Sequence, residues 1–349
     1  MKNILVVAHD AGEANIFSCL IKKYAHDFHW FTYTSGPAKK IFIKEKTIFK
    51  TTPLKMETNQ LNKVISSLNL DLILTGTGGG SDSKMLFIRA GKKNHIKTAS
   101  FLDHWCHYRE RFGYPGKWKE NLPDFVFVGD KWAYKTTLKL GFPKSKLLYI
   151  KNPYFQEIIK KSTKKGGELT EKSHLKKILY LSEPLPKPSI DGYRNFYNGE
   201  SLEYKVVRIL LEIIKLPESE QKFILMIRFH PAENINKYTQ LLKDKKYDKI
   251  RRFVKISNPA SSPLEKDCLW SDIVISSTSM ALFIAFVMGK SVISYLPEKN
   301  YAFSLPQKEI KKVHSQKELM QALRTSGKNN SKAKYLLSEG LSFTEFFHP

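Results

Sequence analysis

The apolar positions of this chain fall into short solid runs separated by helical stripes. Ile4 to Ala8 is a continuous run that stops at His9-Asp10, and Ile16, Phe17, Leu20 and Ile21 then recur at helical spacing. Phe28 to Tyr33 reads as a second strand. Leu61, Val64, Ile65 and Leu68 stand at i, i+3, i+4 and i+7, one face of a helix. Asp71 to Thr75 is a strand ended by the glycine run Gly76 to Gly80. A helix follows from Lys84 to Lys92, then strands from Lys97 to Leu102 and from Phe125 to Val128. Such alternation predicts a parallel sheet with helices on both faces.

The pattern breaks at Lys160 to Gly167, a basic, polar, glycine-containing stretch that reads as a linker or exposed loop. It then restarts. Strands are predicted over Lys177 to Ser182, Phe223 to Phe229, Ile273 to Ser276 and Ser291 to Tyr295, with helices over Glu203 to Lys215 and Met280 to Met288. The expectation is an α/β protein of two Rossmann-like domains facing a central cleft: residues 1–155, a basic linker over 156–176, and residues 177–349 ending in a helical tail.

Composition agrees with this and adds a charge. A chain of 349 residues with 42% hydrophobic and 26% charged positions is globular and long enough for two domains. The formal net charge of +25 predicts attraction to something anionic: a nucleic acid, acidic headgroups or a phosphate-bearing substrate. A lysine-using genome gives the same bias. The basic residues are spread along the chain and form no recognisable DNA or RNA module, so no nucleic-acid partner is expected, and a basic nucleic-acid-binding protein stands as the alternative of another class. The three cysteines, Cys19, Cys106 and Cys268, are isolated, which argues against a zinc site or a disulfide framework. No run approaches the roughly 18 apolar residues of a membrane span. The expected setting is the cytoplasm, with peripheral contact to anionic lipid at the inner face of the cell membrane.

Candidate chemistry collects where the predicted strands end, the ligand edge of open α/β sheets. In the second half, the Ile273 strand runs into Ser276-Ser277-Thr278-Ser279 and directly into a helix. Free N–H groups at such a helix start favour an anion, and Ser277, Thr278 and Ser279 add hydroxyls; plain N-capping is the alternative. Upstream, Arg228-Phe229-His230-Pro231 follows another strand. Two-residue periodicity places Arg228 and His230 on one side, both able to donate to a phosphate. Glu183 is a weaker candidate.

In the first half, His9, Asp10 and Glu13 share one strand-to-helix turn. The carboxylates can serve as a base or form an N-terminal capping box, and an extended chain predicts that His9 and Asp10 diverge. Asp103-His104-Trp105-Cys106-His107-Tyr108-Arg109-Glu110-Arg111 follows another strand. Trp105 and Tyr108 suit a sugar face, Arg109 and Arg111 an anionic group, and Asp103 and His104 can orient each other; aromatic anchors with surface arginines are the alternative. The glycine run fails the dinucleotide fingerprint because position 81 is Ser. Gly78 and Gly79 are read instead as a backbone surface for an acceptor.

A basic residue before His-Pro, followed by strand, Ser/Thr cluster and helix, resembles the donor half of GT-B glycosyltransferases. It is similar to bacterial sialyltransferases and Kdo-type capsule and surface-polysaccharide transferases that use CMP-activated acidic sugars. The layout also resembles CDP-glycerol glycerophosphotransferases. The resemblance implies an inverting, metal-independent transfer of a nonulosonate or Kdo-type sugar from a CMP donor to a glycan or glycolipid acceptor. It makes Arg228, His230, Pro231, Ser277, Thr278 and Ser279 nucleotide-site residues. The activated sugar is then a substrate, and no cofactor is implied. No DxD spacing occurs. The donor-site helix, Ala281 to Met288, lacks the carboxylate with which many UDP-sugar GT-B enzymes grip the ribose, which argues against a UDP-sugar donor of that kind; Glu265 or Asp267 is a substitute. A UDP-sugar GT-B transferase is the alternative within the same fold. Position in the first turn makes Asp10 the first choice for the base, ahead of Glu13 and His9.

Overall fold

The computed structural model describes residues 1–47, 58–78, 83–165, 175–183, 201–216, 223–231, 233–297, 305–326 and 339–347. They form two compact units, Met1–Glu157 with Tyr335–Pro349, and Ile158–Lys334.

In the first unit, strands β1 (Lys2–Ala8), β2 (Phe28–Thr34), β3 (Leu72–Thr75), β4 (Lys97–Leu102), β5 (Phe125–Val128) and β6 (Leu147–Tyr149) form one sheet in the order β2-β1-β3-β4-β5-β6. All of its pairings are parallel. Strand β1 shows why its sequence is a solid run. Ile4, Val6 and Ala8 enter one core with Phe17, Leu20 and Ile21 of α1 (Ala11–Lys23), while Leu5 and Val7 enter a second with Leu61 and Ile65 of α3 (Thr58–Ser67) and Phe87 of α4 (Ser83–Lys93). Helices α2 (Gly36–Lys44) and α5 (Lys131–Lys139) complete the wrap.

Residues 156–165 of the expected linker lie in helix α6 (Pro153–Lys165), anchored by buried Phe155 and Ile158 three residues apart. The last described residues return to the first unit. Leu341 bridges Ile150, and Phe343 of α12 (Phe343–Phe347) is 2% exposed among Tyr24, Phe28, Trp30 and Phe127.

The second unit has strands β7 (Lys176–Leu181), β8 (Phe223–Arg228), β9 (Val254–Ser257), β10 (Ile273–Ser276), β11 (Ser291–Tyr295) and β12 (Lys311–Val313), in the order β12-β11-β10-β7-β8-β9. They too are all parallel. Helices α7 (Leu202–Ile214), α8 (Thr239–Lys243), α9 (Leu264–Trp270), α10 (Met280–Val287) and α11 (Gln316–Thr325) surround them. Helix α7 lays Val206, Val207, Leu210, Leu211 and Ile214 on the core, an amphipathic stripe worth roughly 1.5–3 kcal/mol per fully buried side chain.

These orders locate the sites. A doubly wound sheet opens a crevice where its strand order reverses, at the carboxyl ends of the strands. The reversal falls between β1 and β3 in the first unit and between β7 and β10 in the second. No helix among the described residues is long and apolar enough to cross a membrane.

Candidate functional site

At the β1/β3 reversal the chain leaves β1 through His9-Asp10 and starts α1. Glu13, 2% exposed, turns back into the crevice. Its Oε1 accepts the N–H groups of His9 at 2.5 Å and Asp10 at 3.0 Å, and its Oε2 accepts Gly78 N–H at 3.0 Å. One carboxylate thus ties the end of β1 to the turn after β3. Burial raises its pKa, and the three N–H donors offset only part of that.

Asp10 caps α1 in the capping box its sequence allows, its side chain facing the Glu13 N–H while Glu13 takes the Asp10 N–H. Its side chain is nonetheless 32% exposed, and His9 Nε2 lies 3.9 Å from its Oδ1. The expected divergence of His9 and Asp10 is therefore not met, because the chain turns into α1 at Asp10 rather than continuing as a strand. His9 Nδ1 is 2.8 Å from Ser35 Oγ, and its ring fills the space over Gly36, where a Cβ would lie 2.5 Å from Cε1. The φ of +51° at Gly36 favours glycine independently.

Asp103, just past β4, receives Arg111 Nη1 at 2.7 Å in a mostly buried pair, with the two side chains 13% and 14% exposed. Arg111 Nη1 also donates to Thr77 Oγ1 at 2.8 Å and to the Thr77 carbonyl at 3.2 Å. Lys84 Nζ donates to the carbonyls of Thr77 and Gly78; burial lowers its pKa, against the pull of Glu13.

The glycines in this region have an internal reason. A Cβ on Gly76 would meet Glu13 Oε2 at 1.7 Å, one on Gly78 would meet Asp10 Oδ2 at 1.7 Å, and one on Gly12 would meet Asp103 Oδ2 at 2.2 Å. Each glycine makes room for a carboxylate. Gly79 lies outside the described residues.

The loop after β4 is more structural than its sequence suggests. Trp105 and Tyr108 are buried, 6% and 0% exposed, so they anchor the loop and offer no sugar face. Trp105 Nε1 donates to both oxygens of Asp130, which caps α5 through Ala133 N–H at 2.8 Å. Burial pushes Asp130 up to about 6. His104 Nδ1 accepts Trp105 N–H at 2.9 Å and lies 3.2 Å from Cys106 Sγ, so this nitrogen faces its own loop rather than Asp103. Burial lowers its pKa, in keeping with a neutral imidazole. Arg109 stacks on Tyr114, 4.2 Å from the ring centroid.

At the β7/β10 reversal, the Ser/Thr turn is already in contact with an anion. Glu183, 9% exposed, accepts Ser276 Oγ at 2.6 Å, Ser277 N–H at 2.8 Å and Thr278 N–H at 2.7 Å on Oε1, and Thr278 Oγ1 at 2.7 Å on Oε2. The turn has the anion-favouring donors its sequence implies, and the protein's own carboxylate engages them. Ser279 caps α10, accepting Ala281 N–H at 3.2 Å.

Arg228 and His230 part company beyond β8. Arg228 is 8% exposed and donates through Nη1 to Asp267 Oδ2 at 2.5 Å, the Ser262 carbonyl at 2.8 Å and Ser257 Oγ at 3.3 Å. Asp267 also accepts Ser257 and Ser262 hydroxyls, so a buried ion pair locks β8 to β9 and α9. His230 and Pro231 are exposed, and the His230 N–H donates to Glu233 Oε2 at 2.9 Å. Glu233 in turn holds Ser182 Oγ and Lys237. Among the described residues no group of three or more His, Cys, Asp or Glu side chains is placed to hold a metal.

Sequence reasoning missed Lys84, Thr77, Ser35 and Asp130, and underrated Glu183. The only signal was position: Ser182-Glu183 follows a buried strand directly, but the strand order that sets it beside Ser277 is not written locally.

No protein-family model matches the chain, and no curated protein matches it in sequence. Solved structures do. The UDP-GlcNAc 2-epimerase of Neisseria meningitidis, bound to UDP-GlcNAc, superposes with a TM-score of 0.68 at 12% identity, covering 96% of this chain and 94% of that one. The UDP-GlcNAc 2-epimerase of Methanocaldococcus jannaschii gives 0.63 at 13%, covering 95% and 94%. HepE of Anabaena in complex with UDP gives 0.63 at 12%, covering 100% and 98%. At these identities the likeness is one of fold: the chain has the two-unit α/β architecture of the GT-B class. These neighbours lend no support to the resemblance to CMP-sialic acid and Kdo-type transferases.

Proposed function

We propose that this chain is a GT-B glycosyltransferase using a UDP-activated sugar, with the nucleotide held by the second unit and the acceptor deprotonated by Asp10 of the first. The observation that carries the reading is the anion-favouring turn at the β7/β10 reversal, in a fold whose solved neighbours are bound to UDP-GlcNAc, to UDP, and to UDP with glucose. Four donors fix Glu183, which holds the 276–278 turn in shape. Ser279, the first N–H groups of α10 and the exposed His230 are then the groups offered to a diphosphate. They stabilise the charge that grows on the leaving nucleotide. Arg228 serves as a strut through Asp267.

The choice of base follows from commitment. Glu13 is braced by three backbone N–H groups and Asp103 by Arg111, which leaves Asp10 with a third of its side chain open. An inverting transfer uses one base. Inverting a sugar carbon, as the 2-epimerase neighbours are named for, uses acid–base groups on both faces of that carbon, and Asp10 as the one open carboxylate of this crevice among the described residues favours transfer. The acceptor is read as a glycan or glycolipid, and the surplus of +25 as attraction to anionic acceptor or membrane surfaces.

A thermal-shift panel of UDP, CMP, CDP and GDP tests the donor: UDP should raise Tm most, and a larger gain from CMP would restore the acidic-sugar reading. Incubation with UDP-GlcNAc alone tests the reaction. A transferase leaves the donor intact without an acceptor, whereas conversion to the 2-epimer would replace transfer by epimerisation.

A further inference from the structure

The first unit contains a cavity of about 860 Å³ that the proposed chemistry does not use. It lies between α4 and the loop after β4, within the size range of small-ligand sites. Lys84, Arg89 and Arg111 line it with His107, and Glu110 is the one acid of the lining among the described residues. Arg111 is preset: Asp103 and Thr77 hold Nη1, the Cys106 carbonyl holds Nε at 3.3 Å, and the Cys106 thiol also bonds the side chain. Arg89 is exposed, with Asn121 Oδ1 at 3.4 Å as its hydrogen-bond partner among the described residues. Lys84 commits two of its three N–H donors to carbonyls.

We propose that this cavity binds a phosphomonoester carried on a polyol or sugar. Among the described residues three cations and one carboxylate face the cavity, with Asp103 set behind Arg111, a cationic lining suited to a phosphate, and the second pKa of such an ester, near 6, makes it a dianion at neutral pH. The exposed guanidinium of Arg89 suits its oxygens. Glu110 and Asn121 supply acceptors for hydroxyls, and Met85 and Phe112 supply an apolar wall. The cavity belongs to the first unit and is independent of which nucleotide the second unit takes.

The test is isothermal titration of the full chain with glycerol phosphate, glucuronate and glycerol. Saturable binding of glycerol phosphate is expected, glucuronate should bind more weakly, and glycerol should not bind. Arg89→Gln, at an exposed position, should weaken glycerol phosphate roughly tenfold while leaving Tm and UDP binding unchanged. His230→Ala should leave glycerol phosphate binding intact. Loss in His230→Ala with retention in Arg89→Gln would assign the anion to the second unit and overturn the proposal. Tighter binding of glucuronate, or no saturable heat with the phosphate ester, would overturn it as well.

Discussion

Replacing Glu183 with alanine asks whether the Ser/Thr turn is an anion site in its own right. The substitution leaves the N–H groups of Ser277 and Thr278 without their carboxylate, while Ser276 Oγ keeps the Leu181 carbonyl at 2.7 Å. Each buried N–H left unmet costs about 1–3 kcal/mol. Water entering the vacated space recovers part of this, so the expected loss is about 3 kcal/mol. For a unit the size of Ile158–Lys334, that lowers its melting temperature by roughly 6–12 °C. Scanning calorimetry, which separates the transitions of two units, is the assay. Formate or phosphate should then restore much of the loss in Glu183→Ala, because an anion that binds only the folded state adds RT ln(1 + [L]/Kd), about 2.7 kcal/mol at a hundredfold excess over Kd. Wild type, its turn engaged by Glu183, should gain far less. A variant melting within about 1 °C of wild type, or equal stabilisation of both proteins by the anion, would refute the reasoning.

Other substitutions separate chemistry from scaffolding. Asp10→Asn should lower turnover roughly 100- to 10,000-fold with UDP binding and Tm unchanged; full activity would move the base elsewhere. Asp130, pushed up to about 6 by burial from an ordinary value of 3.8, binds more protons folded than unfolded, so its contribution to stability is complete below pH 3.8 and is lost as pH rises towards 6, by up to about 3 kcal/mol. Asp130→Asn keeps an acceptor for Trp105 and Ala133 and should flatten that decline in denaturant midpoints; an unchanged slope would assign it to other groups. Arg228→Met strands Asp267 in a buried site and should cost about 3–5 kcal/mol, most of it recovered when Asp267 is also replaced by Leu, as urea unfolding would report.

What the sequence made legible followed local physics. Strands β4, β5, β10 and β11 coincide with their apolar runs because both faces of each strand are buried. The edge strands β6, β9 and β12 were not legible: they are short and only partly buried, so no solid apolar run marks them. Helix α6 hid in a lysine-rich stretch that composition marks as a linker, although lysine is a good helix former and Phe155 with Ile158 supplies the stripe. Arg228 was misjudged for a different reason. A two-residue period describes a strand, and β8 ends at Arg228 itself, so nothing obliges His230 to share its face.

The sites were half legible, and one device explains both halves. In each unit an acid reaches from just past the first strand across the strand-order reversal, onto backbone N–H groups of the next turn. Glu13 takes Gly78, and Glu183 takes Ser277 and Thr278. The local signs, a glycine run and a Ser/Thr cluster, announce donors and close approach. They do not say what approaches, since the partner lies 65 residues away in one case and 94 or 95 in the other. A carboxylate so placed answers the N–H groups that a strand end leaves open, and it narrows what a ligand meets. In the second unit Glu183 engages the turn, so the phosphate we propose would meet the start of α10 instead. In the first, Glu13 engages the backbone N–H groups, which is the reason Asp10 is proposed as the base.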